Sequence, residues 1–148
     1  MVKQIIIASN LIEKNGKYLF VRETKEMAKG MYNFPSGTQK GHESLVECAI
    51  REAKEESGLD IKPKNIVTLS QITKSVMGNN LLIIFFKSEI ISGELTISGE
   101  HPEVKFISLE EIKELEKDNL IRFSDCILSA INSYENNESI GLDFLKIF

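Results

Sequence analysis

The chain has 148 residues, and its 22 acidic side chains outnumber its 18 basic ones, so its formal net charge is −4. Hydrophobic residues make up 42% and charged residues 27%, a globular composition that excludes a disordered chain and predicts one domain over residues 1–148. The acidic balance excludes the basic surface of proteins that bind nucleic acid polymers, and the longest early apolar run, residues 5–8, is too short to cross a membrane.

The cysteines and histidines indicate the redox state of the thiols and the kind of metal site that the chain can form. Cys48 and Cys126 lie far apart and form no CxxC motif, and no secretory signal is present, so reduced thiols in a cytoplasmic protein are predicted. The two histidines, His42 and His101, are too few for a metal cage built from His and Cys. An acidic protein of this kind needs a cation or a local basic pocket to bind a phosphate-bearing small molecule.

Apolar and β-branched runs predict the strands. The Asn15-Gly16 pair between the first two runs is typical of a tight hairpin turn, and the third and fourth runs predict a second antiparallel pair. The predicted strands are residues 4–12, 17–21, 66–72, 81–86 and 104–107.

Capping signals and helical spacing predict three helices. Ser44 and Glu47 form an S-x-x-E capping box, and Gly58 suits the position after a last helical turn, so the first helix runs between Ser44 and Gly58. The others are expected at 108–117 and 123–134. Because helices interleave with strand pairs that resemble hairpins, the pattern favours an α/β fold with a mixed sheet over a doubly wound parallel sheet.

The first helix carries an unfavourable charge pattern. Glu52, Glu55 and Glu56 lie close together near its C-terminal end, where mutual repulsion and the helix dipole each cost roughly a few tenths of a kcal/mol. Two explanations stay open: a solvated acidic face, or a site for a hard divalent cation such as Mg²⁺, which prefers carboxylates, water and substrate phosphates. On a helical wheel, the stripe predicted to face the core comprises Val46, Ala49, Ile50 and Ala53.

A wider spacing pattern distinguishes these explanations. Gly37 is followed after five residues by Glu43 and, after seven more, by the run Arg51-Glu52-Ala53-Lys54-Glu55-Glu56-Ser57-Gly58-Leu59. Residues 37–59 therefore resemble the Nudix signature G-x5-E-x7-R-E-U-x-E-E-x-G-U, and the chain is similar to Nudix hydrolases of the MutT type. The resemblance implies an α/β/α sandwich with a mixed sheet between helices, and hydrolysis of a pyrophosphate linkage.

The resemblance also implies a cofactor and its ligands. Nudix hydrolases use Mg²⁺ or Mn²⁺, and many recruit a further glutamate from a later loop; here Glu100 and Glu103 lie in the corresponding stretch, although either could equally be a solvated loop residue. The implied metal ligands are Glu52, Glu55, Glu56 and the carbonyl of Gly37.

Arg51 has two readings that can both hold. By resemblance, Arg51 and Glu43 form the structural ion pair that holds the loop, and Arg51 orients Glu52, which acts as metal ligand or as general base. As a local alternative, Arg51 is simply the partner of Glu55 four residues further along the helix.

Substrate contacts are suggested by a looser resemblance. The segments 21–24, 32–37 and 119–145 resemble a bacterial branch of Nudix phosphatases that act on thiamine pyrophosphate, on its hydroxymethylpyrimidine precursor and on nucleoside di- or triphosphates. Arg22 is then a candidate phosphate contact, and Phe34 is a candidate wall that stacks on a substrate ring, with core packing as its alternative. Lys40 is either a contact to the phosphate tail or a solvated side chain.

Three expectations about function follow. The leading one is a metal-dependent pyrophosphohydrolase of a nucleotide or another small phosphorylated metabolite. The alternatives are an ADP-ribose or nucleoside-diphosphate-sugar pyrophosphatase, and a Nudix module that binds a nucleotide without hydrolysis. Such modules usually lose glutamates of the signature, and this chain keeps them all. Members of the Nudix family are often dimers, so the resemblance is compatible with a homodimer, although the sequence shows no surface patch that requires one.

Overall fold

A computed structural model describes residues 1–73, 75 and 77–148. The helices are α1 (Leu45–Ser57), α2 (Leu109–Lys117) and α3 (Ser124–Glu135), which confirms the three predicted helices. The strands are β1 (Gln4–Leu11), β2 (Glu13–Lys14), β3 (Lys17–Arg22), β4 (Tyr32–Asn33), β5 (Ser36–Thr38), β6 (Leu59–Ile72), β7 (Asn80–Gly93), β8 (Val104–Ser108) and β9 (Ile140–Gly141).

Both ends of α1 form as the local sequence predicts. The Ser44 side chain accepts a hydrogen bond from the backbone N–H of Glu47, whose own side chain accepts one from the Ser44 backbone N–H. Gly58 ends the helix in the left-handed region with φ of 81°, a conformation that costs an L-residue energy. These caps fix where the acidic last turns of α1 begin and end.

Two sheets form the body of the fold. In the five-stranded sheet the order is β5-β1-β7-β6-β9, with β1 parallel to β7 and the other described pairings antiparallel. In the smaller sheet β3 lies between β4 and β8 and also pairs with β2, and Asn15 and Gly16 adopt positive φ in the β2–β3 turn. The mixed α/β architecture predicted from the sequence is confirmed.

The long antiparallel pair extends beyond its predicted limits. Strands β6 and β7 each have 14 residues, because register shifts between Asp60 and Ile61, Pro63 and Asn65, and Ile66 and Thr68 absorb the residues that interrupt the pattern. A bulge tolerates the proline that an ordinary ladder position excludes.

Helices cover the two faces of the large sheet. On one face, Ile84 and Phe86 of β7 pack in a cluster with Cys48 and Ala49 of α1. On the other face, Ile83 and Phe85 of β7 join the cluster that contains Ile127 and Ala130 of α3. Alternation along β7 thus places α1 on one side of the sheet and α3 on the other.

Two further expectations concern thiols and membranes. Cys48 is buried, Cys126 is partly buried, and both are free thiols, as the spacing predicts. Within the described residues, no helix is both long enough and apolar enough to cross a bilayer.

Candidate active site

The acidic face of α1 is largely removed from solvent. Glu52 and Glu56 are each 8% exposed, whereas Ile50, predicted to face the core, is 39% exposed. The wheel prediction for Ile50 was wrong because the loop around β5 covers the glutamate side of the helix. A solvated acidic face therefore does not describe Glu52 and Glu56, although Glu55 keeps a side chain that is 55% exposed.

Strand β5 makes the contact that encloses these carboxylates. The backbone N–H of Ser36 donates to Glu56 Oε1 at 2.7 Å. A Cβ atom added at Gly37 would overlap the carboxyl group of Glu52, so any other residue there requires that carboxyl group to move.

Gly37→Ala is expected to destabilise the protein by about 1–3 kcal/mol, because β5 or Glu52 must move to admit the methyl group. Urea unfolding measures the loss. Gly99→Ala is the matched control for stability, since no described atom lies within 4 Å of the Cβ it would add. Equal stability of the two variants would show that the close approach at Gly37 is not a constraint.

Arg51 connects the loop before α1 with its acidic turns. Its guanidinium donates to both carboxylate oxygens of Glu43, from Nε at 2.9 Å and from Nη2 at 2.6 Å. Nη1 lies 2.7 Å from Glu52 and 3.2 Å from Glu55, and Nη2 also donates to the carbonyl of Thr38 at 3.2 Å. Both readings of Arg51, as partner of Glu43 and as partner of Glu55, thus describe contacts that exist together.

The Glu43–Arg51 pair makes the free energy of unfolding depend on pH in the acidic range. Arg51 lowers the pKa of the Glu43 carboxyl from 4.5 to about 2. Because the folded-state pKa is depressed, the stabilisation is fully present above about pH 4.5 and is lost as the pH falls towards 2. We expect Glu43→Gln to cost more unfolding free energy at about pH 6 than at about pH 3. The cost is measured by urea unfolding, and a pH-independent difference would contradict the expectation.

A second group of ionisable residues meets Glu56 from other elements. His101 is 6% exposed, and its Nε2 lies 3.1 Å from Glu56 Oε2 and 3.6 Å from Glu23 Oε2. Arg122 Nη1 lies 3.6 Å from the second oxygen of Glu23. Ligand atoms of Glu23, Glu56 and His101 all lie within 4.8 Å of one another.

Burial and charge set the protonation of this cluster. Burial raises the pKa of Glu56 and of Glu52 against the lowering effect of their cationic neighbours. Burial also opposes ionisation of Glu23, but His101 and Arg122 outweigh it and lower its pKa. The carboxylates of Glu23 and Glu56 raise the pKa of His101. Burial thus favours the protonated forms of Glu52 and Glu56, while Glu23 keeps its charge beside His101 and Arg122.

These residues open into one cavity of about 490 Å³. Lys25, Lys40 and Arg122 contribute positive charge to its wall, and Phe123 contributes an aromatic ring. The acidic and imidazole groups that line it are Glu23, Glu52, Glu55, Glu56, Glu100 and His101. Of the predicted site residues, the structure thus brings Gly37, Lys40, Glu100 and the three glutamates of α1 to one cavity.

Phe34 is not available to a substrate. Its side chain is 0% exposed, and its ring packs 5.0 Å from that of Phe20 and 6.1 Å from that of Phe85, measured between centroids. The prediction of a stacking wall was wrong for Phe34, and the alternative of core packing describes it.

Arg22 and Glu103 lie outside the cavity wall in the described part of the chain. They pair with each other at 3.4 Å, while Glu103 also contacts Lys105 at 2.7 Å and accepts a hydrogen bond from the Tyr32 hydroxyl at 2.8 Å. Their predicted roles, as phosphate contact and as loop glutamate of the active site, are not supported by this placement.

Comparisons with known proteins agree with this geometry. A family model, the NUDIX domain, matches residues 3–125. The chain belongs to the Nudix family. Phosphatase NudJ of Escherichia coli strain K12 is 27% identical over 149 aligned residues, covering 100% of this chain and 94% of that protein. An ADP-ribose pyrophosphatase of Methanocaldococcus jannaschii is 27% identical over 114 residues, covering 77% of this chain and 68% of that protein.

Solved structures show the same fold. A Nudix hydrolase from Nitrosomonas europaea has a TM-score of 0.89 at 23% identity, and the match covers 99% of this chain and 98% of that protein. A MutT protein from Methanosarcina mazei has a TM-score of 0.75 at 25% identity, and the match covers 93% of this chain and 97% of that protein. The predicted Nudix family, its fold and its enzyme class, hydrolysis of phosphorus-containing anhydrides, are confirmed.

The residues present fit a divalent cation, which Nudix hydrolases generally use. Carboxylate oxygens are the donors that hard cations prefer, and Glu52, Glu55 and Glu56 line the same cavity. In addition, His101 Nε2 is a buried atom with no well-directed hydrogen-bond partner among the described residues.

Proposed function

We propose that the chain hydrolyses a pyrophosphate linkage in a nucleoside di- or triphosphate, or in a related small diphosphate such as a thiamine-type pyrophosphate. The observation that carries this proposal is the burial of Glu52 and Glu56, each 8% exposed, in a cavity that also presents basic side chains. Mg²⁺ is the proposed cofactor, with Mn²⁺ as its alternative, and residues 1–148 are proposed to act as one domain. A homodimer and a cytoplasmic location stay predictions.

The residues of the Nudix signature have proposed roles that follow from their positions. Glu52, Glu55, Glu56 and the carbonyl of Gly37 would hold the cation. When bound, a divalent cation neutralises charge that develops on phosphate oxygens and makes water a better nucleophile. Glu52 either binds the cation or accepts the proton of the attacking water, and Arg51, 2.7 Å away, holds its carboxylate in place.

The basic side chains of the cavity are proposed to receive the substrate. Lys25, Lys40 and Arg122 line the same cavity as the glutamates, and each can donate to a phosphate oxygen. Phe123 supplies the aromatic surface that Phe34 cannot, and Arg122 lies 4.8 Å from the centre of its ring. Glu100 lines the cavity too and remains the candidate for a carboxylate contributed by a later loop.

The alternative substrate class is ADP-ribose or another nucleoside-diphosphate sugar. It is favoured by one observation, the 27% identity to a protein named ADP-ribose pyrophosphatase. A binding module without turnover would keep the cavity but release no product. Substrate assays with product identification separate these cases.

The deciding experiment is a panel of pyrophosphate-containing metabolites with Mg²⁺ or Mn²⁺. It includes nucleoside di- and triphosphates, thiamine pyrophosphate and ADP-ribose, with products identified by mass. We expect metal-dependent cleavage of a phosphorus anhydride bond in at least one of them. Binding of these compounds in calorimetry without any product would instead support the binding module.

Cation binding should also stabilise the fold. A cation that binds only the folded state at ten times its Kd adds about 1.4 kcal/mol, which raises Tm by roughly 3–6 °C for a domain of this size. Thermal unfolding with Mg²⁺ or Mn²⁺ measures the shift, and EDTA should reverse it. An unchanged Tm at every metal concentration would count against a cation site.

A further inference from the structure

The backbone at His101 is held in place by its own loop and by the segment after β3. Its backbone N–H donates to the Ser98 hydroxyl at 3.0 Å, and its carbonyl accepts from the Ser98 backbone N–H at 2.9 Å. The Thr24 hydroxyl donates to the carbonyl of Glu100 at 2.9 Å. These contacts position the loop that carries the imidazole, which is 6% exposed and lies next to the carboxylate of Glu56.

The Nε2 atom of His101 has no well-directed hydrogen bond among the described residues. It lies 3.1 Å from Glu56 Oε2 and 3.6 Å from Glu23 Oε2, yet neither contact is well directed, and no other described residue provides a partner. An unsatisfied nitrogen in such a buried site is unfavourable unless something else occupies the space that it faces.

The spacing of these atoms suits one shared cation. Two ligand atoms of an octahedral ion with bonds of about 2.1 Å lie about 3 Å apart when adjacent and about 4.2 Å apart when opposite. The distance from Nε2 to Glu56 Oε2, 3.1 Å, is close to the adjacent separation, whereas Glu23 Oε2 at 3.6 Å would have to move by about half an ångström to join the same ion.

We infer that His101 Nε2 is a ligand of the divalent cation bound at Glu56, so that this cation site combines nitrogen with oxygen donors. The inference rests on the proposed function, because it takes the cation site of α1 as given. It adds a ligand from the loop before β8, with Glu23 as the further carboxylate within reach. Imidazole ligates through a nitrogen that carries no proton.

A nitrogen donor should contribute more to the binding of Mn²⁺ than to the binding of Mg²⁺. Mg²⁺ favours oxygen donors, whereas Mn²⁺ and the later first-row metals accept imidazole readily. His101→Gln, which offers an oxygen in place of the nitrogen, should weaken Mn²⁺ binding by about tenfold or more and Mg²⁺ binding by less. Calorimetry of both ions against both proteins measures this difference in selectivity.

The direct test is electron spin echo spectroscopy of bound Mn²⁺, with the chain labelled with ¹⁵N at histidine only. The chain has two histidines, and His42 is exposed, so His42→Gln is the matched control. We expect a histidine ¹⁵N coupling in the wild type and in His42→Gln, and its loss in His101→Gln. If His101→Gln does not fold, the wild type and His42→Gln alone decide the question.

The outcomes separate this inference from the function on which it rests. Bound Mn²⁺ without a histidine coupling overturns the ligation by His101 and leaves the metal-dependent hydrolase intact. A coupling that persists in His101→Gln overturns it as well. Failure of the folded wild type to bind any divalent cation overturns both proposals.

Discussion

Glu56→Gln is expected to lower kcat by about 10²-fold to 10³-fold, the range in which the loss of one strong electrostatic contact in an active site falls. Glu56 is buried, lines the cavity and lies 3.1 Å from His101. Its carboxylate can therefore contact a cation in the cavity, and no exposed carboxylate can take its place. Glutamine keeps the shape and can still accept the hydrogen bond from Ser36, so the fold should persist. Steady-state kinetics with Mg²⁺ or Mn²⁺ measure the loss.

The control is Glu116→Gln, the same chemical change at an exposed position of α2. It should leave kcat, KM and Tm unchanged. Circular dichroism of both variants shows whether lost turnover reflects lost folding. If Glu56→Gln retains near-normal turnover with saturating metal, the proposed role of the carboxylate is wrong.

Features that depend on neighbouring residues could be predicted from the sequence. The capping box of Ser44 and Glu47, the helix stop at Gly58 and the turn at Asn15-Gly16 are each determined by a few consecutive side chains. The spacing of the glutamates within α1 is likewise a local property. The amino-acid sequence alone is therefore sufficient to predict the Nudix family.

Features that depend on distant parts of the chain could not be predicted in this way. A helical wheel assumes that apolar residues are buried, but the loop around β5 covers Glu52 and leaves Ile50 exposed. Glu23 and His101 reach the same point from the end of β3 and from the loop before β8, with no shared sequence pattern. The sequence does give a partial signal, because Glu100, a candidate loop carboxylate, is the neighbour of His101.

Arg51 is the residue on which the acidic end of α1 depends for stability. It lies within 3.2 Å of Glu43, Glu52 and Glu55, and its side chain is 24% exposed. Without it, Glu52 would keep its charge at 8% exposure, or take up a proton, and either change costs folding free energy. The pKa of Arg51 is raised by Glu43 and then by Glu52, so the guanidinium stays charged at every accessible pH.

Arg51→Ala is therefore expected to lose about 3 kcal/mol of unfolding free energy, which lowers Tm by roughly 6–12 °C. Lys54→Ala is the matched control, since it removes a cation from the same helix that pairs with Asp60 at the surface, and it should cost less than about 1 kcal/mol. Urea unfolding of Arg51→Ala, Glu43→Gln and the double variant gives their coupling energy, expected at about 1–3 kcal/mol. Additive costs would mean that the bidentate contact with Glu43 contributes nothing to stability, and that Arg51 acts through Glu52, Glu55 and the Thr38 carbonyl.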